Sequence, residues 1–259
     1  MDYVTILVAD KGPVRTITLN RPERRNAMTP EMQAELIAAM GDAVASGCRV
    51  LVLAGAGQAF CSGLDLSALL AMQEKTAAEL RADAEQTEKL FRTLCELPIP
   101  AIAAVQGAAI AGGTGLAMLC DFTFATPAAK FGFTEPRIGF VAAMLSAFLA
   151  LQIGDKRSRD LLLTGRLFDA EEARRLGLVN EVVAPENLAQ RIQALADVLI
   201  ANSPMSLGAT KRLMAAQNRA WLDAATEAAL EVSAQARETA DFREGIAAFL
   251  EKRKPVWAK

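Results

Sequence analysis

Apolar residues alternate at Val4, Ile6 and Val8, and Ile17 and Leu19 alternate with polar neighbours. Between the two runs stands Asp10-Lys11-Gly12-Pro13. A period of two interrupted by turn residues predicts a strand, a tight turn and a second strand, with Tyr3 in the first strand and Asn20-Arg21-Pro22 ending the pair. The period then changes. Thr29-Pro30-Glu31 sets a hydroxyl N-cap, a proline at the first position and an acid in the first turn, and Met32, Leu36, Met40 and Val44 follow at helical spacing up to Gly47. Residues 50–54 and 101–105 are short continuous apolar runs of the buried-strand kind. A long helix is predicted over 74–97, broken by Pro98 and Pro100.

Further on, the pattern predicts a helical turn at 116–119 and a strand at 122–125. Helices follow at 141–153, 156–164, 170–176 and 186–202, with a short strand at 179–183. After Ser203-Pro204 the pattern is helical to the end. Strands alternating with helices and a helical C-terminal part define an α/β chain. The order of elements leaves the connectivity open, and a doubly wound sheet is not required.

At 259 residues the chain has room for one large domain or a domain with an appendage. Its net charge of −2 gives no nucleic-acid footprint. The one dense basic run, Lys252-Arg253-Lys254, fits a solvated helix end equally well. No apolar run reaches the ~18 residues of a membrane helix. The nearest, 138–153, is interrupted by Gly139, Ser146 and Gln152. The start of the chain lacks the basic and long apolar stretches of a secretory signal. The four cysteines, Cys48, Cys61, Cys95 and Cys120, have no paired spacing, so they are expected reduced and mostly buried, in a cytoplasmic protein.

The chain contains 0 histidines, which removes Ser-His-Asp and Cys-His nucleophiles and His-ligated metal sites. Acid–base work therefore falls to carboxylates, Lys, Tyr or Cys. Two small-residue stretches follow buried strands: Ala59-Phe60-Cys61-Ser62-Gly63-Leu64-Asp65-Leu66, and Gln106-Gly107 through Gly112-Gly113-Thr114-Gly115. Such loops bring the backbone close to a ligand, and two of them can aim two N–H groups at one oxygen. Each alone reads as a tight turn beside close-packed helices. A dinucleotide fingerprint lacks its third glycine at Phe60, and neither loop ends in the Gly-Lys-Ser/Thr of a phosphate cradle.

Taken in order, these segments resemble the enoyl-CoA hydratase/isomerase (crotonase) family. The resemblance runs through Phe60–Leu66, Ala111–Asp121, Phe131-Gly132-Phe133-Thr134-Glu135-Pro136-Arg137-Ile138-Gly139, Leu163-Thr164-Gly165-Arg166 and Gly177-Leu178-Val179-Asn180, and ends at Glu244-Gly245 and Phe249–Pro255. It covers nearly the whole chain. It implies a crotonase-like spiral of ββα repeats over 1–200, carrying the CoA and active sites, and a C-terminal helical trimerisation region over 201–259. It further implies a homotrimer or a dimer of trimers acting in fatty acid metabolism on an acyl-CoA. No metal or other cofactor is expected, since CoA arrives with the substrate, and neither nucleic acid nor membrane is an expected partner.

By the same resemblance the backbone N–H groups of Leu64 and Gly112 bind the thioester oxygen, the backbone around Ser62 and Leu64 holds the adenine, and Lys252 approaches a CoA phosphate from a neighbouring subunit. Hydratases of the family usually carry two catalytic glutamates. Glu135 matches the second; the position of the first is Gly115, which then lies in the substrate-binding region. The expected activity is an enoyl-CoA hydratase-type lyase. A Δ3,Δ2-enoyl-CoA isomerase needing one glutamate, or a CoA-binding protein with little catalysis, are the alternatives. Taken alone, Glu135 reads as a surface salt bridge, for instance to Arg137; the matched motif reverses that reading. Phe131, Phe133 and Phe140 are expected to make its surroundings apolar and raise its pKa. Met28, Met72, Met118 and Met144 are candidates for an acyl pocket or for ordinary core, and Asp65 and Asp121 are expected to be structural.

Overall fold

The computed structural model describes residues 3–258; Met1, Asp2 and Lys259 lie outside them. The alternating runs form β1 (Ile6–Lys11) and β2 (Val14–Leu19), an antiparallel hairpin that buries Ile6, Ile17 and Leu19. Tyr3 and Val4 precede the first strand. They are held instead by helix α1 (Pro30–Ala45): the Tyr3 hydroxyl lies 2.9 Å from Asp42, and the Val4 and Thr5 amides donate to the Glu35 carboxylate at 2.6 and 2.8 Å. Thr29 caps α1 by accepting from Met32 N at 3.1 Å. Met32, Leu36 and Met40 are buried on its inner face, whereas Val44 has rotated out to solvent.

Strand β3 (Val50–Gly55) pairs in parallel with β2. A short helix unforeseen in the sequence, α2 (Leu66–Ala71), is capped by Asp65. The helix expected to start at residue 74 begins later, as α3 (Ala77–Cys95), because Thr76 and Glu79 form a reciprocal capping box. Then come β4 (Ala101–Val105), β5 (Ala109–Ile110), α4 (Gly112–Leu119), β6 (Phe122–Ala125) and β7 (Lys130–Gly132). Helices α5 (Ala143–Ile153) and α6 (Asp155–Thr164) lead to β8 (Leu167–Asp169), α7 (Ala170–Leu176) and β9 (Glu181–Val182). The chain finishes with α8 (Leu188–Ala201), α9 (Pro204–Arg237) and α10 (Ala240–Leu250).

The main sheet runs in the order β1-β2-β3-β4-β6-β9, parallel from β2 onward. A second sheet, β5-β7-β8, collects three short strands: β5 follows β4, β7 follows β6, and β8 follows α6. The chain thus winds from a main strand to a short strand to a helix and back. Its larger core lies between the sheets and α1, α3, α4 and α5; a smaller one holds α8 against the outer face of the main sheet. No described helix is long and apolar enough to cross a membrane.

The last helix meets the rest of the fold through backbone. A Cβ built on Gly245 of α10 would stand 2.2 Å from the carbonyl carbon of Ile138, in the 3-10 turn Glu135–Ile138. Any larger residue must push α10 away from that turn. Gly245→Ala is expected to cost about 1–3 kcal/mol by overpacking. Gly41→Ala on exposed α1, where a Cβ meets nothing within 4 Å, is expected to gain up to about 1 kcal/mol. Urea denaturation midpoints of the two variants should move in opposite directions.

Candidate active site

The segment after β3 and the segment after β4 are stitched together by main chain. Phe60 N and Cys61 N both donate to Ala108 O, at 3.0 and 3.1 Å, and Ile110 N donates to Cys61 O at 2.9 Å. The approach is so close that a Cβ on Gly113 would lie 2.1 Å from Cys61 O. Two side-chain amides hold the outer carbonyls. Asn26, fully buried, donates to Ala56 O and Ala59 O, both at 2.9 Å, and Gln106 donates to Gly55 O at 2.7 Å and Ala59 O at 3.0 Å. Neither amide was singled out by the sequence. Their role depends on carbonyls that only the fold brings to them.

This stitching determines which amides stay free. Met28 N donates to Gly63 O at 2.7 Å and Asp65 N donates to Met28 O at 2.8 Å. In such a parallel bridge the residue between, Leu64, turns its own N–H to the opposite side. Asp65 is fixed in turn by Arg21 at 2.8 Å; burial alone would raise its pKa, but Ser67 and Arg21 hold it below the usual range. On the other loop, Ala111 has φ 53 and ψ −122, a conformation that glycine normally supplies in a type II′ turn. Its N–H donates to Gly132 O at 2.7 Å, and α4 begins at the next residue. Among the described residues neither Leu64 N–H nor Gly112 N–H makes a backbone hydrogen bond. Gly63 and Gly112 are neighbours: a Cβ on Gly63 would lie 3.8 Å from Gly112 N. The N-terminal end of α4 adds its dipole at this point.

Leu64 and Gly112 line one open cavity, of about 1020 Å³ counted with its solvent-filled mouth, and Glu135 lines the same cavity. Glu135 opens the 3-10 turn and is only 8% exposed. It makes no bridge to Arg137, which is exposed. Its Oε2 is buried without a hydrogen-bond partner among the described residues. Burial pushes the carboxyl up to about 7, opposed only in part by its own backbone N–H. Among the described residues lining the cavity, Glu135 is the one carboxylate and Arg237 the one cation. The remaining wall is mostly apolar, including Met28, Phe91, Phe140, Met144 and Leu145.

Several sequence expectations are corrected here. Gly115 does not line the cavity. A Cβ there would stand 2.5 Å from Leu145 Cδ2, so Leu145 fills the space beside Gly115 and faces the cavity in its place. Phe140 forms part of the wall, but Phe131 and Phe133 are core residues that do not reach it. Of the four methionines Met28 and Met144 line this cavity; Met72 lines an adjoining one and Met118 is core. Ser62 is at the wall, with its N–H committed to Arg25 O at 3.1 Å. Lys252 is exposed and lies outside the cavity lining of its own chain. Asp121 accepts from Ala101 N at 2.7 Å and pairs with Lys211, a structural role as expected.

The sequence profile of the enoyl-CoA hydratase/isomerase family matches residues 10–259. A Thermus thermophilus relative, provisionally named an enoyl-CoA hydratase, is 43% identical over 247 residues, 95% of this chain and 98% of its own. The 1,2-epoxyphenylacetyl-CoA isomerase of Escherichia coli is 34% identical over 249 residues, 95% of each chain. An enoyl-CoA hydratase/isomerase structure from Xanthobacter autotrophicus superposes with a TM-score of 0.89 at 33% identity, covering 97% of this chain and 98% of that one.

The buried carboxyl ties stability to pH. Glu135 holds its proton more tightly in the folded chain than in the unfolded one, so its contribution favours the fold at low pH. That contribution is lost as pH rises from the ordinary carboxylate range through about 7, and amounts to on the order of 3 kcal/mol. Glu135→Gln is therefore expected to melt at higher temperature than the wild type at pH 8 and at the same temperature at pH 4. Calorimetry at the two pH values checks this; a difference that persists at pH 4 would show a packing effect instead.

Proposed function

This chain belongs to the enoyl-CoA hydratase/isomerase family, and we propose that it is a hydratase-type lyase that adds water reversibly across the C2–C3 double bond of a 2-enoyl-CoA. The observation that carries this reading is the shared cavity. Glu135, whose Oε2 has no hydrogen-bond partner among the described residues, lines one apolar space with Leu64 and Gly112, whose N–H groups make no backbone hydrogen bond there. The thioester oxygen is placed between Leu64 N–H and Gly112 N–H. As water adds at C3, negative charge moves onto that oxygen, where each preorganised donor contributes ~3–4 kcal/mol to the transition state.

Glu135 supplies the proton chemistry. As a carboxylate it takes a proton from the attacking water while the C3–O bond forms, and as the acid it returns a proton to C2 when the enolate collapses. A carboxyl near pH 7 in its proton affinity suits both halves of that shuttle. The single carboxylate serves twice because Gly115 supplies no second acid, and Leu145 lies beside it instead. The scheme uses no metal or redox cofactor, and CoA enters and leaves with the acyl group.

The same reading extends to assembly and binding. A trimer, or a pair of trimers, is supported by the large apolar side chains that α9 leaves exposed: Met205, Leu213, Met214 and Trp221. In that arrangement Lys252, exposed here, reaches a CoA phosphate on a neighbouring subunit, while the backbone at Ser62 and Leu64 holds the adenine. Four unpaired thiols support a reducing, cytoplasmic compartment.

Purified protein is expected to hydrate crotonyl-CoA, followed as loss of enoyl absorbance, and to leave 3-hexenoyl-CoA unchanged. Formation of a 2-enoyl product from 3-hexenoyl-CoA without hydration of crotonyl-CoA would replace the lyase by an isomerase. Glu135→Gln is expected to lower the rate by ~10²–10⁴ while CoA-thioester binding is kept. A wild-type rate in that variant would remove Glu135 from the mechanism.

A further inference from the structure

Met28 stands two residues before α1, is fully buried and reaches both halves of the proposed oxyanion pair. Its backbone brackets Leu64: Met28 N donates to Gly63 O at 2.7 Å, and Met28 O accepts from Asp65 N at 2.8 Å. Arg21 braces that bridge from outside, one of its terminal nitrogens donating to Ala27 O at 2.6 Å and to Asp65 at 2.8 Å. The side chain leaves this fixed backbone for the other loop. Its Cε lies 2.5 Å from the point where a Cβ on Gly112 would stand, and Phe91 Cζ lies 3.7 Å from the same point. The end of the Met28 side chain thus fills the open side of Gly112, backed by Phe91. Met144, the other methionine on the cavity wall, does not reach that point.

The Gly112 N–H belongs to the peptide unit that follows Ala111, and its direction is set where Ala111 holds φ 53 and ψ −122. That conformation is costly for a residue with a Cβ and persists only where the surroundings enforce it. Gly112 does not enforce it, because glycine has the widest backbone freedom. Ala111 N is tied to Gly132 O at 2.7 Å, and on the cavity side the packed contact is Met28 against Gly112. We propose that Met28 is a positioning residue for the oxyanion pair. Its backbone aims the Leu64 N–H, and its side chain holds Gly112, and with it the second N–H, at the spacing that one oxygen requires. The proposal rests on reading these two amides as the thioester-oxygen donors and adds what keeps them in register. An unbranched thioether suits the task, since it reaches along a narrow gap that a shorter, branched side chain leaves open.

Polarisation of a bound thioester reports on the two donors and separates this role from core packing. Bound 2,4-hexadienoyl-CoA, whose conjugation opposes hydration, is expected to absorb at longer wavelength on the intact protein than in water, because donors aimed at the carbonyl oxygen draw charge onto it. Met28→Ala is expected to lose most of that red shift and to lower kcat for crotonyl-CoA by roughly 10-fold to 100-fold, the effect of a small misplacement at the reacting centre. Met28→Leu, close in volume, is expected to melt near the wild-type temperature and still lose part of the shift. Met144→Ala enlarges the same cavity away from Gly112 and is expected to keep the shift. An unchanged shift in either Met28 variant, or an equal loss in Met144→Ala, overturns the proposal and leaves the oxyanion reading standing. A wild-type protein that binds the thioester with no red shift, or does not bind it, overturns both.

Discussion

The site depends on main-chain stitching between the segments that follow β3 and β4. Three hydrogen bonds among Phe60, Cys61, Ala108 and Ile110 bring the two loops into backbone contact, and Gly113 lets them close. Once they are joined, Leu64 N–H and Gly112 N–H make no backbone hydrogen bond among the described residues. The proposed oxyanion-binding pair is thus a product of the folding geometry, not a set of side chains added to it. Its supports, Asn26, Gln106 and the Arg21–Asp65 ion pair, act by holding carbonyls and loops at a distance from the cavity.

Glu135 presents the opposite case, a side chain whose chemistry comes from its surroundings. The protein supplies it with little hydrogen bonding and much apolar contact, and the penalty on its charged form is what brings its proton affinity near neutrality. That environment is assembled from distant parts of the chain. Met28 precedes α1, Phe91 lies on α3, Leu145 on α5 and Ile246 on α10. The direct backbone contact between Gly245 and Ile138 keeps the last helix seated on the turn that begins with Glu135.

How far such a site can be read in advance depends on the range of the forces that make it. The long strands, α7 and the Thr29 cap follow local rules, and they stand where periodicity and capping residues place them. Strands β5, β7 and β8 are two or three residues long and owe their form to their neighbours, so no period announces them. Tyr3 and Val4 look like strand but are drawn to Glu35 and Asp42 on α1. Glu135 was legible because its motif stands out; its burial was argued from nearby phenylalanines, of which only Phe140 reaches the cavity. Arg237 was not legible. It is one of 28 basic residues, in a helix of mixed polarity, and its distinction is the space it faces.

The seating of α10 on the Glu135 turn also has a consequence for synthesis. A chain made from its N-terminus releases Glu135 roughly a hundred residues before Gly245 and Ile246 follow. During that interval the stitched loops can already exist, with the carboxyl still bathed in water and as acidic as any other. The stitched loops would thus form early, and the apolar surroundings of Glu135 would be completed only once α10 has been made.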